Sequence, residues 1–120
     1  MKICQPTENE QGTNNTLHGH FRSAPRYFIY DTETSKSESF GNERKVVDRH
    51  YIDNIDSLSD HAVDVAIVGG LGKCALSKMK TNGIKVFRAI TPSLDDNIKS
   101  LKKGELTELT FQNTRRGRFC

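Results

Sequence analysis

The sequence has 120 residues, the length of one domain, and its 18 lysines and arginines exceed its 15 aspartates and glutamates by only three. The three arginines in the segment 115–118 equal that whole surplus, which argues against the basic face of a nucleic-acid-binding protein. No stretch approaches the roughly 20 apolar residues of a membrane span, and no signal-peptide apolar block follows Met1. Three widely spaced cysteines form no disulfide framework, so we expect a cytoplasmic protein. From the charge pattern and the missing apolar span we expect neither a nucleic acid nor a membrane as partner.

The first half of the chain predicts a strand followed by a hairpin. Polar residues fill the segment 7–16, which predicts a loop, whereas the segment 26–31 is rich in aromatic and β-branched residues. The predicted elements are a strand over Lys2–Gln5 that Pro6 ends, a strand over Arg26–Asp31, a turn over Thr32–Lys36 and a return strand within Ser37–Val47.

The second half predicts alternating strands and helices. The predicted elements are a short helix on Ile52, Ile55 and Leu58, a buried strand over Val63–Val68, a helix from Lys73 that Gly83 stops, a strand over Ile84–Phe87 and a helix that Thr91–Pro92 opens and Gly104 ends. A strand–helix–strand–helix order after a hairpin predicts an α/β sandwich on a mixed sheet that is parallel in its second half.

A glycine turn joins the buried strand to the next helix. The residues from Gly70 to Ala75 match the G-x-G-x-x-A pattern of dinucleotide-binding folds, but no carboxylate ends the following strand to hold a ribose. The turn Gly69–Lys73 is either an anion cradle or a tight turn in which glycine relieves crowding. Cys74 lies in the first turn of the predicted helix, where a thiolate is stabilised and becomes a better soft-metal ligand.

A histidine segment precedes the aromatic strand. It reads His18-Gly19-His20-Phe21, and a neutral imidazole is a common metal ligand. Spacing alone does not make the two histidines a chelating pair, because residues on either side of a glycine can point in different directions.

These segments together resemble the dinitrogenase iron–molybdenum cofactor biosynthesis family, the NifX/NafY-like accessory proteins of nitrogen fixation. The resemblance covers most of residues 1–109, and its segments are Met1–Ile3, Leu17–Pro25, Phe28–Asp31, Val63–Gly72 with Ala75, Gly83–Ala89 and Gly104–Leu106. It implies a single domain over residues 1–109 with a basic tail over 110–120, and a ribonuclease-H-like, three-layer α/β/α sandwich on a mixed sheet of about five strands.

The resemblance also implies a binding site. The family's cofactor-binding histidine corresponds to His20, and Arg22 stands where the family usually has glycine, so it either closes the pocket or faces an anionic cluster. We expect the cofactor-binding residues to be His20, Phe21, Arg22, Gly69, Gly70, Gly72 and Lys73, with His20 and Cys74 as metal ligands.

The function that this resemblance implies is a non-catalytic carrier of an iron–sulfur cluster, iron–molybdenum cofactor or a precursor. Its partners would be cofactor-assembly proteins, and the chain would be a monomer or a weak homodimer. The alternative is a cofactor-free interaction or regulatory module of the same fold. A nuclease of this fold is disfavoured, because metal-dependent phosphoryl transfer needs clustered carboxylates, whereas the first strand has none and the central strand has only Asp64.

Overall fold

The computed structural model describes residues 1–8, 16–19, 21, 24–41, 46–47, 50–51, 58 and 61–110, with only the backbone described for 46–47, 50–51 and Cys74. The elements in chain order are β1 (Lys2–Thr7), β2 (Arg26–Asp31), β3 (Ser37–Gly41), β4 (Val46–Val47), β5 (His50–Tyr51), β6 (Val65–Val68), α1 (Lys73–Thr81), β7 (Lys85–Arg88) and α2 (Leu94–Lys102). No helix in these ranges is long and apolar enough to cross a membrane.

Five strands form a mixed sheet in the order β3-β2-β1-β6-β7. The hairpin side is antiparallel, with Cys4 opposite Ile29 in the register of β1 and β2. The other side is parallel, because β6 pairs with β1 and β7 pairs with β6. The α/β class, the mixed five-stranded sheet and the parallel second half are therefore confirmed. A second sheet of β4 and β5 has only two residues in each strand, and the sequence pattern did not predict it.

The prediction that Pro6 ends the first strand is wrong. β1 continues to Thr7, and Pro6 lies opposite Tyr27 in β2. The carbonyl of Pro6 accepts a hydrogen bond from the His18 N–H at 2.9 Å, on the side away from β2. Because the N–H and C=O of an extended residue point to the same side, the missing N–H of proline lies on that side and β2 loses no hydrogen bond.

Core residues lie on both faces of the sheet. Consecutive strand residues point to opposite faces, and Ile3 and Cys4 accordingly belong to two different core clusters. The cluster that contains Cys4 also contains the α1 residues Ala75, Leu76 and Met79, whereas the cluster that contains Ile3 also contains Ile98 of α2.

The helix ends follow local chemistry. Gly83 stops α1 as predicted, with a positive φ of 77° that glycine adopts without strain. α2 begins two residues after Pro92, because Ser93 serves as its N-cap and its hydroxyl accepts a hydrogen bond from the Asp96 N–H. Six residues of the predicted helix before Asp64, 52–57, lie outside the described ranges, whereas Leu58 is described and fully buried.

Candidate functional site

The carboxyl ends of β1, β6 and β7 lie at one edge of the sheet. These three strands are parallel neighbours, so their chain ends share that edge, which is where open α/β sheets bind ligands. β6 leads there into the glycine turn Gly69–Gly72, and β7 leads into the loop 89–93 before α2.

The segment 16–18 returns to this edge and lies beside the end of β1. Leu17 forms an antiparallel bridge with Thr7, and the Glu8 N–H donates to the Thr16 carbonyl at 3.3 Å. On its other side, the Leu17 N–H donates to the Pro92 carbonyl at 2.9 Å, and Thr16 forms a bridge with Ser93. The segment is therefore held between β1 and the loop that precedes α2.

Gly19, which follows this segment, packs against the glycine turn. A Cβ atom built on Gly69 would lie 3.2 Å from the Gly19 carbonyl oxygen and 3.3 Å from the Gly19 Cα. Both glycines are exposed to solvent. The fold thus brings together the histidine segment and the glycine turn, two motifs that are about 50 residues apart in the sequence.

The histidine segment is anchored on both sides of the predicted ligand. His18 Nδ1 lies 2.8 Å from Glu8 Oε1, and the His18 side chain is 23% exposed. Phe21 is buried, and the centroid of its ring lies 5.0 Å from that of the Tyr27 ring. The Tyr27 hydroxyl donates to the Phe21 carbonyl at 2.6 Å. His20 and Arg22 lie outside the described residues, so their assignment to the site stays a prediction.

The glycine turn opens directly into α1. The N-cap residue is Gly72, no side chain caps the helix, and its first turn contains no acidic residue. Lys73 is the first helical residue and is partly exposed, and the backbone of Cys74 lies in the first turn. Backbone N–H groups at such a helix start favour an anion.

A pair of buried amides lies beneath the loop before α2. Gln5 and Asn97 are both fully buried, and Asn97 Nδ2 donates to Gln5 Oε1 at 3.3 Å. Sequence reasoning missed both residues. The only available signal was the polar side chain of Gln5 within a strand whose neighbours Ile3 and Cys4 are apolar.

Cys4 does not belong to the site. Its side chain is fully buried in the core, and this burial raises the pKa of the thiol well above its ordinary value. Within the described ranges, no three His, Cys, Asp or Glu side chains are grouped so that they could hold a metal ion. Imidazole and thiolate are the donors that suit an iron–sulfur cargo. The side chains of the two predicted metal ligands, His20 and Cys74, lie outside the described set, so their role stays a prediction.

Comparison with known families settles the membership of the chain. The model of the family described as "Dinitrogenase iron-molybdenum cofactor" matches residues 1–104. The chain belongs to this family. Among curated proteins, none matches it significantly.

Several solved structures have a fold similar to that of this chain. An NMR structure from Thermotoga, described provisionally as a NifB protein, is 28% identical with a TM-score of 0.77, and the match covers 97% of this chain and 98% of that one. The apo orange protein from Desulfovibrio gigas is 17% identical with a TM-score of 0.73, covering 91% and 92% of the two chains. A protein from Methanocaldococcus jannaschii, described provisionally as a dinitrogenase, is 17% identical with a TM-score of 0.71, covering 92% and 95%.

Proposed function

We propose that this chain is a non-catalytic carrier of an iron–sulfur-type metallocluster, either iron–molybdenum cofactor or a precursor, and that it acts in cofactor assembly. The observation that carries the proposal is the contact between Gly19 and Gly69. It brings the residue before His20 against the turn that leads to Cys74. Membership of the dinitrogenase iron–molybdenum cofactor family supports the same conclusion.

The proposed site has two parts, a pair of metal ligands and an anion-binding turn. His20 and Cys74 are the metal ligands, because imidazole and thiolate both bind iron in clusters of this kind. Gly69, Gly70, Gly72 and Lys73 receive the anionic cargo, since glycines permit a close approach and an uncapped helix start offers N–H donors.

The residues that follow His20 have different roles in this proposal. Phe21 fixes the segment from within the core, through its ring packing and through the hydrogen bond from Tyr27 to its carbonyl. Arg22 contributes a positive charge towards the anionic cargo. An exposed site with few ligands suits a carrier, because the cargo must be released to the next protein.

The proposal also covers the organisation of the protein. The binding unit is a domain over residues 1–109 followed by a basic tail, and its partners are cofactor-assembly proteins. We infer a three-layer, ribonuclease-H-like sandwich, supported by the separate core clusters that Leu76 of α1 and Ile98 of α2 join on the two sheet faces.

The test is an anaerobic titration of the apo-protein with extracted iron–molybdenum cofactor and, separately, with a chemically reconstituted iron–sulfur cluster. Metal content and visible absorption are measured after desalting. We expect the wild type to retain cluster and His20→Ala to bind at least about tenfold more weakly, since even the groups behind metal ligands change affinity by about 10- to 100-fold. Cys74→Ser should weaken binding in the same direction.

His61→Gln is the matched histidine control. The His61 ring stacks on Phe40 of β3, at the opposite end of the sheet from β7, and its Nδ1 lies 3.2 Å from Glu38 Oε1. This variant should retain as much cluster as the wild type. If the wild type retains neither cluster, the carrier function is rejected in favour of a cofactor-free interaction module. If His20→Ala and Cys74→Ser both retain cluster fully, the site assignment is wrong.

A further inference from the structure

We propose that the buried pair Gln5 and Asn97 positions the histidine segment by fixing the loop before α2. The inference rests on the proposed function, because the segment 16–19 leads directly to His20. Gln5 and Asn97 would therefore be positioning residues that act from beneath the site without touching the cargo.

The amides bind the loop backbone at two points and the first residue of α2 at a third. Asn97 Nδ2 donates to the Thr91 carbonyl at 2.9 Å, and Asn97 Oδ1 accepts from the Ile90 N–H at 3.3 Å. Gln5 Nε2 donates to the Leu94 carbonyl at 3.1 Å. The two side chains are joined by their own hydrogen bond, so β1, α2 and the loop form one connected network.

The loop in turn holds the histidine segment. The Pro92 carbonyl, one residue beyond Thr91, accepts the Leu17 N–H at 2.9 Å. Displacement of the loop would break this bond and the bridge between Thr16 and Ser93, whereas the bridge between Leu17 and Thr7 of β1 would remain.

The burial of both amides supports a positioning role for this network. Both amides are fully removed from solvent, and a buried polar group is costly unless its hydrogen bonds are made. An apolar pair would fill the space between β1 and α2 without that cost, but it could not bind the Ile90, Thr91 and Leu94 backbone groups. The exposed Ile90 side chain does not fasten the loop either, since 62% of it is accessible to solvent.

The test compares the double variant Gln5→Met/Asn97→Leu with the single variant Ile98→Val. The double variant removes both amides and keeps side chains of similar size. The bond between the two amides loses both partners, which is often nearly neutral, whereas the Ile90, Thr91 and Leu94 backbone groups lose theirs, which is the change under test. Ile98→Val trims a core side chain next to Asn97 and leaves every loop hydrogen bond in place. Asn97→Asp is a second, nearly isosteric variant that removes the Nδ2 donor, keeps an acceptor for the Ile90 N–H and introduces a buried carboxyl group.

Amide hydrogen exchange of the apo-proteins is the first measurement. In the double variant we expect the protection of the Leu17 and Ile90 amides to fall roughly 3- to 10-fold more than that of the β6 amides, the effect of losing about one hydrogen bond. Asn97→Asp keeps an acceptor for the Ile90 N–H, so we expect its selective loss of protection at Leu17. If exchange at Leu17 changes no more than in Ile98→Val, the amides do not position the segment and the proposal is overturned.

Cluster binding is the second measurement, with extracted iron–molybdenum cofactor as the probe. We expect the double variant to bind more weakly than Ile98→Val by a similar 3- to 10-fold factor. Equal affinity in these two variants would overturn the positioning role even if exchange is altered. A wild type that retains no cluster would reject the proposed function, whereas the exchange measurement would still decide whether the amides hold the segment.

Discussion

The backbone of Gly19 lies beside Gly69, where a Cβ built on Gly69 would be only 3.2 Å from the Gly19 carbonyl oxygen. Any side chain at position 69 would therefore require the Gly19 backbone to move. Gly70 has more room, because a Cβ there would lie 3.5 Å from the same oxygen, an ordinary contact distance.

The first prediction follows from that difference. Gly69→Ala should displace the Gly19 backbone and lower the free energy of unfolding by about 1–3 kcal/mol, the usual effect of overpacking. Gly70→Ala is the matched control and should leave stability close to that of the wild type. Urea denaturation measures both. Equal stabilities of the two variants would show that Gly19 moves away without cost.

The second prediction concerns the hydrogen bond that anchors Phe21. Tyr27→Phe removes the hydroxyl that donates to the buried Phe21 carbonyl, and we expect a loss of about 1–3 kcal/mol in the free energy of unfolding. Tyr30→Phe is the control, because Tyr30 lies in the same strand, β2, but is only partly buried. It points to the same sheet face as Phe28, opposite to that of Tyr27. Comparable losses in thermal denaturation for both variants would argue against a special role of the Tyr27 hydroxyl.

The third prediction concerns the reactivity of Cys4. In a variant with Cys74→Ser and Cys120→Ser, Cys4 is the remaining cysteine, and burial raises the pKa of its thiol well above its ordinary value. Because the thiolate is the reactive form, the native variant should not react with iodoacetamide at pH 8 on the timescale in which a free thiol is consumed. The same protein should react at the normal rate in urea. Rapid alkylation without denaturant would contradict the buried placement.

The fourth prediction is a pH dependence from Asp31. The Glu33 N–H donates to Asp31 Oδ1 at 2.9 Å and lowers the pKa of that carboxyl, and the N-terminal ammonium at 3.9 Å acts in the same direction. A lowered pKa in the folded state contributes stability above the ordinary value of 3.8, and this contribution is lost as the pH falls through the lower folded value.

Asp31→Asn should therefore destabilise the protein at pH 7, with a difference from the wild type that shrinks as the pH falls below 3.8. Urea denaturation across this pH range measures the difference. Glu105→Gln, which neutralises an exposed carboxylate beyond the end of α2, controls for the change in net charge. A difference that persists unchanged at low pH would show that Asp31 acts through something other than its charge.

The sequence alone determined most of the elements of the main sheet and its helices, and the class of the fold. β2 over Arg26–Asp31, the turn after it and the stop of α1 at Gly83 are all where local patterns predicted them. These features depend on neighbouring residues, because strand alternation, turn residues and the positive φ of a glycine act over a few positions. The segments Leu17–Pro25 and Val63–Gly72 also sufficed to indicate the family that the match over residues 1–104 establishes.

Only the tertiary structure decided how those elements meet. β1 continues through Pro6 because the missing N–H of proline faces His18 and not β2, and the amide pair joins Gln5 to Asn97 across 92 positions of the chain. The contact of Gly19 with Gly69 likewise exists only once β1 and β6 pair in parallel. Such contacts leave no periodic trace in the sequence, because they are set by chain topology and by the requirement that buried polar groups find partners.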